Sequence, residues 1–237
     1  MDSAISGQTL RLISSLAVRA PFDAAIVPNF EVETGCKVEV DWLPTAMIME
    51  KLAAGERAEV LIVVAASIDK LAEQGLVEPA SRIDLVDSSV GLAVRAGAPH
   101  PDISTLDAFK RALVEARSVA YSRAGASGIH FETVLERLGI ADAVRSKATV
   151  IPAGFTAEKL VSGEADLAVQ QVSELMVVPG IEVIGRFPEP VEAVTTFSAA
   201  IMRDAANRPP AERFLATLRN ERAAAAYRAA GLDPASE

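Results

Sequence analysis

Residues 119–132, VAYSRAGASGIHFE, place Ser122, Arg123, Ser127 and His130 in one short segment. Ser127 and His130 are three residues apart, a spacing that can put two side chains on one helix face. A serine nucleophile with a histidine base is therefore one reading. Against it, the chain has no GxSxG turn, and no third group that would orient the imidazole is evident. The other reading is a cradle for an anion. Gly125 and Gly128 permit close backbone approach, and the free N–H groups of a helix start would face the ligand. Each residue also has a plain structural reading: Ser127 as an N-cap contributing about 1 kcal/mol, Arg123 as a surface ion-pair partner, and His130 as a packing or surface residue.

Other polar residues stand where apolar ones are expected. Ser14 and Ser15 close an apolar run, either capping the next helix or meeting a ligand. Gln170 and Gln171 interrupt the apolar DLAVQQV. A buried amide needs partners, which could be a ligand or a neighbouring loop backbone. His100 and His130 are far apart, and no carboxylate cluster has ligand spacing, so neither a metal site nor a cofactor is expected. Cys36 is the single cysteine, which excludes an intramolecular disulfide and a CxxC site; it reads as a buried thiol opening a strand.

These residues sit in an alternation of strand and helix patterns. Strands are expected at 9–16, 37–43, 58–65, 89–97, 118–122, 148–153, 182–185 and 194–203, with a further one starting at 166. Helices are expected at 20–35, 46–56, 67–77 (capped by Ser67), 104–116 (capped by Ser104 or Thr105), 128–139 (apolar stripe Ile129, Val134, Leu135, Leu138) and 156–165, with a C-terminal helical segment over 209–231. Such alternation argues for mainly parallel sheets flanked by helices. The pattern restarts after the Pro/Gly break at 97–102. Ligands of open α/β sheets bind beyond the carboxyl ends of strands, which directs attention to 14–19, 44–47, 65–68, 122–128, 153–156 and 170–174.

The chain has 237 residues, half of them apolar, 5% aromatic and 23% charged, with a net charge of -9. No basic cluster stands out, so nucleic acid is not an expected partner. A local anion site remains compatible with the net charge, because distant charge is screened beyond about 8–10 Å. No run reaches the roughly 18–20 apolar residues of a membrane span, so no membrane insertion is expected. The first residues show no signal-peptide pattern. The protein is then either cytoplasmic with a native start at Met1, or periplasmic with its signal removed.

The stretches LISSL, FEVETGCKVEVDWLPTA, EKLAAGERAEVLIVVAASIDKLAEQGLV, GLAVRAGAP, GASGIHFETVLERLGI, EKLVSGEADLAV and RFLATLRNERAAAAYRAAGL occur in an order and spacing covering nearly the whole chain. Together they resemble the periplasmic molybdate-binding-protein branch of type II solute-binding proteins, the receptors of ABC transporters. The resemblance implies an α/β, two-lobe periplasmic binding protein type II fold with a ligand cleft between lobes. Lobe 1 would comprise 1–98 and 192–237, lobe 2 would comprise 102–188, and the hinge crossovers would lie near 98–102 and 188–192. It implies a monomer that hands a small anionic ligand to an ABC permease. The binding residues it implies are Ser14, Ser15 and Thr45 in the first lobe. In the second they are Ala124, Gly125 and Ser127, with Phe155 or Thr156, and Gln171. The chain departs from the family at LPTA (43–46), where a serine-rich turn is usual, and at Gln170 or Gln171, where a tyrosine is usual. The 122–128 loop adds Ser122 and Arg123. Arg suits a carboxylate, which it grips bidentately, better than it selects molybdate. The expected ligand is accordingly a di- or tricarboxylate. An isomerase resembling the aconitate-isomerase branch is the alternative, and molybdate or tungstate binding a second one.

Overall fold

The computed structural model describes residues 5–235, so the reading of the first four residues lies outside the described residues. The strands are β1 (Thr9–Ser15), β2 (Lys37–Leu43), β3 (Val60–Val64), β4 (Ile83–Arg95), β5 (Val119–Ser122), β6 (Thr149–Ile151), β7 (Leu167–Gln171), β8 (Ile181–Arg186), β9 (Val194–Ile201) and β10 (Asp233–Pro234). The chain divides into two compact units. One holds the residues up to Asp87 and those from Thr195 onward; the other is Ser88–Val194. The division falls inside β4 and at the start of β9, whereas residues 98–102 and 188–192 lie within the second unit.

In the first unit the strand order is β2–β1–β3–β9, followed by the first half of β4. β1 runs parallel to β2 and β3, and β9 is antiparallel to β3. The apolar run of β3 is explained by burial on both faces. Val60 and Ile62 join a core with Leu10, Leu12 and Phe197, and Leu61 and Val63 join another with Ile13, Ile48 and Ala200. Cys36 is free and fully buried in the first of these cores.

In the second unit the order is β8–β4–β7–β5–β6, with β5 parallel to β6 and β7, and β4 antiparallel to β7 and β8. One face carries bulk: Val90, Leu92, Tyr121 and Val169 pack with Phe109 and Phe131. The other face carries alanines. Ala93, Ala168 and Ala120 are register neighbours across β4, β7 and β5, and they pack under Ala157, Leu160 and Leu175. Because side chains alternate along a strand, the next row on this small-residue face is Gly91, Gln170 and Ser122. A Cβ on Gly91 would meet a Val172 methyl carbon at 2.8 Å and the Gly185 carbonyl oxygen at 2.9 Å. The missing side chains make room for polar groups to be buried there.

Several local readings change in three dimensions. β4 starts at Ile83, six residues before the expected 89, and the helix Ala141–Arg145 was not expected. Ser67 is the third residue of the helix Ala65–Glu73, which follows Val64 directly. The C-terminal segment is two helices, Arg208–Thr217 and Glu221–Ala229, because the Asn220 side chain accepts from the Ala223 N–H at 2.8 Å and starts the second. The helix expected over 128–139 is Ala126–Arg137, so Ser127 lies inside it instead of capping it, and Ile129 is 51% exposed, off the core stripe.

That helix start fixes one position stringently. A Cβ on Gly128 would lie 1.4 Å from the Ser122 carbonyl oxygen. Helix and strand end therefore touch backbone to backbone. Gly128→Ala should cost about 3 kcal/mol or more, lowering Tm by roughly 6–12 °C. Gly125→Ala, with φ near -86° and its nearest atom at 3.8 Å, should stay within about 1 kcal/mol of the parent. Thermal unfolding of the two variants checks the contrast.

Candidate anion-binding site

Polar residues gather at the end of the second unit's sheet. Gln170 uses its amide on the neighbouring loop. Its Oε1 accepts from the Thr156 N–H at 2.8 Å and from the Thr156 hydroxyl at 3.0 Å, and its Nε2 donates to the Gly154 carbonyl at 3.0 Å. The loop after β6 is thus tied to the end of β7, with Thr156 and Gln170 both buried. Gln171, on the opposite side of the strand, ties β7 to β4. Oriented so that donors meet acceptors, its amide nitrogen lies 3.0 Å from Ser88 Oγ and 3.2 Å from the Ser89 carbonyl. Ser122 ends β5 opposite Ile151. It is buried, yet its hydroxyl has no hydrogen-bond partner, and the Ser173 hydroxyl is in the same state. An unpaired buried hydroxyl is costly, and a ligand oxygen could complete either one.

Glu174 completes the group. It stands in the short helix Val172–Leu175, where its Oε2 accepts from the Gln171 N–H at 3.3 Å. Burial pushes its carboxyl up to about 7, opposed by the Gln171 N–H and the Gln170 side chain, and no cation offsets the cost. In the sequence Glu174 lies in the strand-end loop 170–174, and its residue type alone does not mark its chemistry. The available signal was the Q-x-x-E spacing of a capping box after an apolar strand.

The rest of the 122–128 loop divides by direction. Ala124, Gly125 and the buried Ser127 sit at the uncapped start of the helix Ala126–Arg137, whose first-turn N–H groups lack intrahelical partners. Arg123 is 63% exposed, with its Nε 3.3 Å from Glu132 Oε1. Glu132 also accepts from the Tyr121 hydroxyl at 2.5 Å and from Arg145 Nε at 2.9 Å. Burial works against ionisation of Glu132, but Tyr121 and Arg145 hold it below the usual carboxylate range. The residue read as a carboxylate grip thus already has a carboxylate partner. His130 is half-buried; its Nε2 lies 2.9 Å from the Val191 carbonyl and its ring packs near Phe187. It makes no bond to Ser127.

The first unit presents a second set at the carboxyl ends of its own strands. Ser14 and Ser15 end β1 opposite Trp42 and Leu43 of β2, and Ser14 also lies opposite Ile62 of β3. Ser14 is fully buried and its hydroxyl donates to the Ser15 carbonyl at 3.3 Å. Ser15 caps a short 3-10 turn, its Oγ 3.5 Å from the Ala17 N–H. Thr45, also buried, opens the helix Thr45–Ala53 immediately after Pro44. Neither this helix nor Ala65–Glu73 has a side-chain cap, so both leave first-turn N–H groups for another acceptor. Among the described residues no cluster of His, Cys, Asp and Glu could hold a metal ion, and no helix is long and apolar enough to cross a membrane.

Residues 10–233 match the family described as bacterial extracellular solute-binding protein. The chain belongs to this family. The sequence is also 37% identical over 232 residues to an aconitate isomerase of a Pseudomonas species, an alignment covering 95% of this chain and 88% of the relative. Among solved structures, the Azotobacter vinelandii periplasmic molybdate-binding protein superposes with a TM-score of 0.78 at 20% identity, covering 96% of this chain and all of that one. The sulfate-binding protein of Mycobacterium tuberculosis H37Rv superposes at 0.76 with 17% identity, covering 97% and 88%. These structures share the fold, that of the molybdate-binding-like solute-binding proteins the sequence resembles.

The raised proton affinity of Glu174 has a consequence for stability. Its folded value, about 7, lies above the ordinary 4.5. The contribution is therefore complete below pH 4.5 and is lost as pH rises through 7, by at most about 3 kcal/mol. Glu174→Gln removes this titration. Relative to the parent, the variant should gain stability between pH 5 and pH 8, and urea unfolding at the two pH values measures the gain.

Proposed function

We propose that the protein binds a small polycarboxylate and isomerises it by moving a proton on carbon. The observation that carries this reading is the 37% identity, over 95% of the chain, to an aconitate isomerase. Aconitate is an unsaturated tricarboxylate, and shifting its double bond requires breaking a C–H bond next to a carboxylate. The polar groups of each unit suit such a ligand. Ser122 and Ser173 offer hydroxyls with no internal partner, the 124–128 helix start offers N–H groups, and Ser14, Ser15 and Thr45 offer the first unit's counterpart. In this reading Gln170 holds the Thr156 loop in place, Gln171 braces β7 against β4, and Arg123 is already paired through its Nε with Glu132. The two chain crossings, at Asp87–Ser88 and Val194–Thr195, are proposed as the hinge.

A second reading is supported by membership of the solute-binding family over residues 10–233. The protein would then be a monomeric periplasmic receptor that delivers a di- or tricarboxylate, unchanged, to an ABC permease. Both readings share the ligand class and differ in turnover.

A thermal-shift panel of cis- and trans-aconitate, citrate, molybdate and sulfate addresses the shared part. Stabilisation by the tricarboxylates is expected, and a shift with molybdate but no carboxylate would reject both readings. Proton NMR of the protein with each aconitate isomer in heavy water separates them. Interconversion or deuterium incorporation is expected for the isomerase, and binding without either identifies the receptor.

A further inference from the structure

Glu59 and Glu174 are the buried acidic residues among those described. Glu59 is accounted for by the β1 backbone, since its Oε2 accepts from the Arg11 N–H at 2.8 Å. Glu174 also accepts from a backbone N–H, that of Gln171, at the longer distance of 3.3 Å. Its capping role could be filled by a glutamine, which serves equally at that position of a capping box. What the sequence places there is an ionisable group, desolvated and without a cation.

Its surroundings hold polar groups with unused hydrogen-bonding capacity. Glu174 is linked through the Gln170 side chain to the Thr156 loop. Gln170 stands in the same row of the sheet as Ser122, and Ser173 is the adjacent residue. Both serine hydroxyls are buried and unpartnered. Glu174 as a residue keeps 7% of its surface exposed.

We propose that Glu174 is the catalytic acid/base of the second unit, taking a proton from carbon and returning it to the same substrate. The assignment rests on the isomerase reading above. The Glu174 carboxylate removes a proton from the methylene carbon of an unsaturated tricarboxylate. The C–H electron pair moves into the adjacent C=C, giving an allylic carbanion delocalised onto the carboxylate oxygens, where hydroxyl and N–H donors stabilise the charge. Glu174 then delivers the proton to the far carbon of the allyl unit, which becomes the methylene as the first becomes the alkene carbon. One C–H bond breaks, one forms and the double bond moves by one position. No oxidant, reductant or other reactant is consumed. A carboxyl poised at about 7 serves both halves at neutral pH.

The charged groups nearby are few. β7 carries no titratable residue. On β8, Glu182 is held by His100 and the Gly97 N–H, and Arg186 is the other charge. In the helix Glu158–Val161, Lys159 is paired with Glu164 and Glu158 is the remaining acid. None of them shifts Glu174.

The test uses the full chain with trans-aconitate as probe. Glu174→Gln should bind it within threefold of the parent by calorimetry, while turnover and solvent-deuterium exchange fall at least a hundredfold. In the parent, kcat/KM should fall about tenfold per pH unit below about 7, a limb that a structural glutamate would not produce. Retention of more than a hundredth of parental turnover, or loss of binding in a folded variant, overturns the assignment and leaves the isomerase reading intact. A parent that neither converts nor exchanges trans-aconitate overturns the isomerase reading, and the assignment falls with it. Should circular dichroism show the variant unfolded, the parent's profile decides: an acid limb near 7 supports Glu174, and a profile flat from pH 5.5 to 8.5 overturns it.

Discussion

With no Cβ at Gly128, the helix Ala126–Arg137 can rest directly on the carbonyl oxygen that ends β5, at a separation no side chain would survive. Much of the second unit's polar end follows from this contact. It brings the uncapped helix start to the strand end, buries Ser127 and Ser122 together with the backbone that carries them, and aligns Glu132 with the Tyr121 hydroxyl on the other side of β5. Close approach of backbone to backbone leaves little freedom, so the N–H groups are oriented before any ligand arrives. Such preorganisation is what lets uncharged donors hold an anion.

The opposite face of the same sheet relies on absent bulk too. Gly91, Ala93, Ala120 and Ala168 leave space that larger residues would fill, and the short helix Val172–Leu175 folds into it. Gln170 and Glu174 are buried as a result. Gln170 satisfies its amide on the loop backbone, whereas Glu174 receives two neutral donors and no cation, and its proton affinity rises. Cations lie elsewhere: Arg123 and Arg145 converge on Glu132 at the unit's exposed side. In the proposed function a polycarboxylate would meet hydroxyls, N–H groups and one carboxyl of raised proton affinity.

Much of the architecture was legible from apolar periodicity. VLIVV reads as a strand buried on both faces, and β1, β2, β5 and the helices near 46 and 106 fall close to their expected positions. Capping residues were less reliable. Ser67 and Ser127 look like N-caps in isolation, but Ala65 and Ala126 begin their helices earlier because packing against the sheet outweighs the roughly 1 kcal/mol of a serine cap. The strand order around the sheets and the antiparallel placement of β9 depend on pairing between residues more than a hundred apart, which no local pattern encodes.

Residue types alone determined the α/β class, the strand-end loops worth inspecting and the resemblance to solute-binding proteins, since these depend on short-range pattern and on the order of stretches along the chain. They also marked Ser14, Ser15, Gln170 and Gln171 as polar residues in apolar runs, and Ser122 and Ser127 as members of a glycine-containing loop. The tertiary structure decided what each does, because a side chain's role is set by its partners. It gave Gln170 a loop to hold, Arg123 a carboxylate of its own and His130 a backbone carbonyl. It also singled out Glu174, whose chemistry comes from burial, a property of the packed sheet and of no local stretch of sequence.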